Sequence, residues 1–227
     1  MSPSEPSPGG VAAALARAAR AQPEAPCLFY RDARGQFRWW SFATAAGFLE
    51  VGGLPPERLS VKGVVVEREA MELLGGFLRV AAADGDESAV AATIPDSEQE
   101  GGRDVWISWR TLSDPQELSL SRWALLSGAA IVVEPGPALH AELFAWARPT
   151  VVSGSVEELG ALADQVEALA PRFLRRRWLR QRGERLRVLA VSGRAGAEDL
   201  TRLAVRWHRL SPTFAPRVIP IALGTLV

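Results

Sequence analysis

Lysine is almost missing from this chain. Lys62 is the only one, and every other cationic side chain is an arginine. A mechanism that needs a catalytic lysine therefore has one candidate. Cysteine is as scarce: Cys27 stands alone, which excludes a disulfide within the chain and fits a reducing compartment. One cysteine with His140 and His208 cannot make a usual zinc site unless carboxylates join them. Tyr30 is the only tyrosine. There is no Gly-x-Gly-x-x-Gly, which argues against a Rossmann dinucleotide site, and no Gly-x-x-x-x-Gly-Lys-Ser/Thr, which excludes a P-loop. No apolar run reaches the length of a membrane-spanning helix. Residues 1–10 lack the basic start and apolar core of a signal peptide and read as a disordered tail. The formal net charge is zero, so no bulk pull toward nucleic acid is expected. These absences lead to the expectation of a cytoplasmic protein that does not bind nucleic acid.

What remains is an ordinary globular composition, 48% hydrophobic and 23% charged over 227 residues, enough for one large core or two small ones. Alanine-rich Val11–Ala21 reads as a helix stopped by Gln22-Pro23. Cys27–Arg31 and Phe37–Phe42 flank Asp32-Ala33-Arg34-Gly35 and read as a hairpin. Ser41 can cap a helix over Ala43–Val51. Val61–Val66 reads as one β-branched strand. The helix expected after it, Glu69–Ala83, spaces Met71, Leu74, Phe77, Leu78 and Ala81 on one face. The acidic, glycine-rich run 96–104 is the expected boundary between a first subdomain (11–95) and a second (105–227). Further strands are expected at Val105–Trp109, Ala129–Val133, Thr150–Ser153, Leu186–Val191 and Val218–Leu223. The helices among them are Leu118–Leu126, Ala138–Ala147, Glu157–Ala170 and Glu198–Leu210. Strands alternating with helices of this length define an α/β class with parallel sheets flanked by helices.

In such sheets, ligands bind at loops following the carboxyl ends of strands. After Thr150–Ser153 comes Gly154-Ser155-Val156-Glu157. Ser155 resembles a nucleophile turn only loosely, since Glu157 stands where a glycine would be required. With Glu158 three residues on, Ser155 is better read as a helix cap. The densest feature is Arg172–Arg187, with eight arginines, one glutamate and Trp178 among them. Three readings stay open: a solvated helix end, an anionic membrane surface met by Arg175, Arg176, Arg177, Trp178 and Arg180, or a nucleic-acid contact. The neutral net charge weighs against the last.

In order and local wording these segments resemble the adenylate-forming, or AMP-binding, enzymes, most nearly their long-chain acyl-CoA synthetases. The resemblance lies in Leu15–Pro26 through Trp40-Ser41-Phe42, Leu59–Val66, Leu125–Val133 and Arg148-Pro149-Thr150-Val151. It lies also in Leu186–Ala195 with Glu198-Asp199-Leu200. It implies part of that family's N-terminal domain, with Ser192, Gly193, Arg194 and Ala195 at the adenine turn and Gly224 and Thr225 near a second nucleotide motif. Several departures follow from the same comparison. The interval where the family's phosphate loop belongs holds Asp84, Asp86, Glu87, Asp96, Glu98 and Glu100. Arg194 replaces a glycine and Gly196 a proline. Leu223–Val227 lacks the tyrosine and the magnesium-holding glutamate expected after the last strand, and the resemblance leads to the expectation that the family's C-terminal domain, with its catalytic lysine, is missing. The expectation is a truncated, catalytically inactive relative acting as an interaction or scaffold protein, with no catalytic or metal residue and no cofactor. ATP, AMP and magnesium would matter only if residual binding survives. Its expected partner is a full-length synthetase or biosynthetic assembly, with weak anionic-membrane contact besides. The alternatives are a residual acyl or adenine-nucleotide binding module, or part of a split AMP-dependent fatty acid–CoA ligase.

Overall fold

The computed structural model describes residues 10–32, 34–50, 60–61, 64–65, 75–78, 80, 104–108, 115–133, 143, 146–168, 185–193, 195–210 and 216–221. The chain forms two compact units, and each draws on two stretches of sequence. The first comprises 1–85 and 110–133, the second 86–109 and 134–227. The second stretch of the first unit ends in a strand that pairs with residues about a hundred positions earlier, a partnership that local patterning does not reveal.

In the first unit, α1 (Val11–Ala21) buries Val11, Ala14 and Leu15 and ends before Pro23, which cannot continue a helix. The strands β1 (Pro26–Arg31) and β2 (Phe37–Ser41) pair antiparallel, Tyr30 opposite Arg38 and Phe29 opposite Trp39. Their turn is built by Asp32. Its main-chain oxygen accepts from the Gly35 N–H (2.9 Å), while Oδ1 accepts from the Arg34 and Gln36 N–H groups (2.9 Å each). Gly35 is left-handed (φ 73), a conformation that costs glycine nothing. Gln36, then the Arg34 N–H and the Arg38 guanidinium, hold the Asp32 carboxyl below its ordinary pKa. Helix α2 (Phe42–Glu50) follows directly, and Ser41 Oγ accepts from the Thr44 N–H at 3.1 Å as the expected cap. Buried Trp40 packs against Tyr30, Phe48 and Phe77, with ring centroids 5.3, 4.8 and 6.3 Å away.

Val61–Val66 is not one strand. β3 (Ser60–Val61) and β4 (Val64–Val65) pair with each other antiparallel, Val61 opposite Val64. Two residues, Lys62 and Gly63, separate them, and a two-residue spacer with a glycine is a hairpin signal that the continuous β-branched run concealed. Helix α3 (Pro115–Leu126) begins earlier than Leu118, with Pro115 in the first turn, where a missing N–H costs nothing. Ser127 and left-handed Gly128 (φ 76) close it, and β6 (Ala130–Val133) lies parallel to β1, giving the order β2-β1-β6.

The described strands of the second unit are parallel. β5 (Val105–Ser108), β7 (Val151–Gly154), β8 (Val188–Ser192) and β9 (Arg217–Ile221) run side by side in that order. Helix α4 (Val156–Ala168) connects β7 toward β8, and α5 (Ala197–Leu210) connects β8 to β9. β7 and β8 are buried throughout, the signature of strands covered on both faces. α4 buries Leu159, Leu162, Ala163 and Val166, and α5 buries Leu203, Trp207 and Leu210. Each large apolar side chain among these contributes about 2 kcal/mol on burial.

Polar groups lace the amino ends of these strands together. Thr150 Oγ1 accepts from the Val105 N–H (2.9 Å), and its carbonyl accepts from Arg187 (2.9 Å) and Val188 (3.2 Å). The Arg187 guanidinium forks onto Asp104, at 3.3 Å through Nε and 2.5 Å through the terminal nitrogen.

Candidate functional site

At the carboxyl edge of the second unit, Gly154 pairs with Val191 and Ser192 with Ile221, so the ends of β7, β8 and β9 lie abreast. Past β7, Ser155 and Glu158 form a reciprocal cap. Ser155 Oγ accepts from the Glu158 N–H (3.2 Å), and the Glu158 carboxylate accepts from the Ser155 N–H (2.7 Å). Ser155 is thus occupied as a cap and not posed as a nucleophile. Its neighbour Glu157 has its carboxyl held below the ordinary value, first by its own backbone N–H and then by the Ser155 hydroxyl.

Past β8, Ser192 is buried at 5% exposure, and its hydroxyl has no hydrogen-bond partner among the described residues. A buried hydroxyl left unpaired is uncommon in folded proteins and costs roughly 1–3 kcal/mol. Gly193 then turns left-handed (φ 88). A side chain there would meet nothing within 4 Å, so the turn needs glycine for its conformation, not for space. Ala195 is half-buried, and the exposed Gly196 N–H donates to Asp199 Oδ2 (3.3 Å) at the start of α5.

Both helices leaving this edge therefore begin with carboxylates: Glu157 and Glu158 on α4, Glu198 and Asp199 on α5. A helix N-terminus draws anions through its unpaired N–H groups and positive dipole end. Here the protein's own carboxylates take up an N–H at each helix start, Glu158 that of Ser155 and Asp199 that of Gly196, and Arg202 pairs with Glu198 and Asp199 in turn.

Of the residues singled out from sequence, Ser192, Gly193 and Ala195 come together at the end of β8. Arg194, Gly224 and Thr225 lie outside the described residues, as do Arg175, Arg176, Arg177, Trp178 and Arg180. The last member of the arginine-rich run, Arg187, is a structural partner of Asp104. His208 is exposed on α5, and His140 lies outside the described residues. Sequence reasoning missed the carboxylate reaching back from Asp199, although the acidic first turn of α5 signals it. Among the described residues, no three of His, Cys, Asp and Glu are placed to hold a metal ion. No helix among them is long and apolar enough to cross a membrane.

No family model and no curated protein match this sequence. Solved structures do match. The crystal structure of CmiS6 superposes with a TM-score of 0.59 at 14% identity, over 99% of this chain and 74% of that one. The AMPPNP-bound nonribosomal peptide synthetase FmoA3 gives 0.58 at 15% identity, over 95% of this chain and 32% of that one. The N-terminal domain of FACL13 from Mycobacterium tuberculosis gives 0.53 at 11% identity, over 93% and 75%. At these identities the likeness is one of fold alone: mostly parallel strands flanked by helices, as in the N-terminal domain of FACL13. The chain spans about a third of FmoA3 and about three quarters of the other two.

Proposed function

We propose that this chain carries an adenylate-forming fold without adenylating activity and acts through interaction with a protein partner. The observation that carries the reading is the closure of both helix N-termini at the carboxyl edge by the chain's own carboxylates, Glu158 on Ser155 and Asp199 on Gly196. The sequence adds Asp84, Asp86, Glu87, Asp96, Glu98 and Glu100 in the interval corresponding to a phosphate loop. Phosphoryl chemistry depends on donors aimed at developing negative charge, and acidic groups in that place raise the barrier. Incubation with ATP, magnesium and a panel of fatty acids is expected to release no pyrophosphate above background. Turnover dependent on this chain alone overturns the reading. The partner follows the earlier expectation, a synthetase or biosynthetic assembly, and affinity purification from the native host is the direct check.

One observation favours a second reading, retained binding of an adenine or acyl group without reaction: the Ser192 hydroxyl beside Gly193, which has no partner among the described residues. Thermal-shift titration with AMP, ATP and acyl-CoA discriminates, because a bound ligand must raise the melting temperature. No shift at millimolar concentration rejects it. For Arg175, Arg176 and Arg177 the proposal is weak, salt-sensitive retention on anionic liposomes. Retention unchanged when all three become glutamate rejects it.

A further inference from the structure

We draw no further inference here: the strongest candidate, the buried side-chain cluster Glu117, Ser121 and Arg122 on α3, carries nothing because Glu117 and Arg122 are already engaged with partners of their own and nothing in the structure shows what faces the Ser121 hydroxyl.

Discussion

Ser192 and Ser153 offer a matched pair of substitutions with opposite expected signs. Both hydroxyls are buried at the carboxyl edge of the second unit, at 5% and 1% exposure. Ser153 Oγ donates to the Ile107 carbonyl at 3.1 Å, tying β7 to β5. Ser192 Oγ has no partner among the described residues. A hydrogen bond of the first kind is worth about 1 kcal/mol net, so Ser153→Ala should destabilise by about that amount. An unpaired buried hydroxyl carries a desolvation penalty of roughly 1–3 kcal/mol. Removing one oxygen leaves a void smaller than a methyl group, which costs less than about 1 kcal/mol. Ser192→Ala should therefore stabilise the ligand-free protein by about 1 kcal/mol, a rise of roughly 2–4 °C in Tm for a chain of this size. Urea unfolding of both variants reads the difference as midpoint shifts of opposite direction at an unchanged slope. Destabilisation of Ser192→Ala equal to that of Ser153→Ala would refute the reasoning, because the Ser192 oxygen would then be engaged within the fold. If AMP binds there, the alanine variant should also lose part of the nucleotide-induced shift.

Three further outcomes follow from the same geometry. Ser155→Ala removes the acceptor of the Glu158 N–H and should cost about 1 kcal/mol by urea unfolding; in a Glu158→Ala background the loss should shrink, since the two groups cap each other. Arg187→Ala leaves Asp104, 12% exposed at its side chain, without its fork. Discounted because the arginine is about a third exposed, the expected loss is about 1–2 kcal/mol, and lysine should restore little of it because it cannot fork. Asp32 has a depressed pKa, so its stabilisation is complete above the ordinary carboxylate pKa and disappears as pH falls through the lower folded value. The Tm of Asp32→Asn should therefore vary less with pH across that acid range than the Tm of the native chain, and equal dependence would contradict the assignment.

Where local chemistry decides the structure, the sequence was legible. Ser41 before an apolar run, Ser155 with Glu158, Gly35 in the hairpin and Gly128 after a helix each act within four residues, and each lies where its chemistry requires. The α/β class was readable for a related reason. Wholly buried runs such as Val188–Ser192 alternate with helices that carry a single apolar stripe, as α5 does. What escaped reading is non-local or ambiguous in its local signal. The β-branched run Val61–Val66 fits a buried strand, and only the Lys62-Gly63 spacer hints that it folds back on itself. The pairing of β1 with β6 and the fork of Arg187 on Asp104 join residues 83 or more positions apart, and no periodicity encodes them. Within the candidate site, the turn after β8 was legible from Ser192-Gly193. The solitary state of the Ser192 hydroxyl was not, because it depends on every group packed around it.

The proposed loss of chemistry is tested most directly by pyrophosphate release from the full chain with ATP, magnesium and fatty acids of graded length, run beside an active acyl-CoA synthetase. With carboxylates at both helix starts of the carboxyl edge, the expected result is release indistinguishable from the protein-free blank at every chain length. Release that depends on both the fatty acid and this chain, and that scales with the amount of protein, would contradict it.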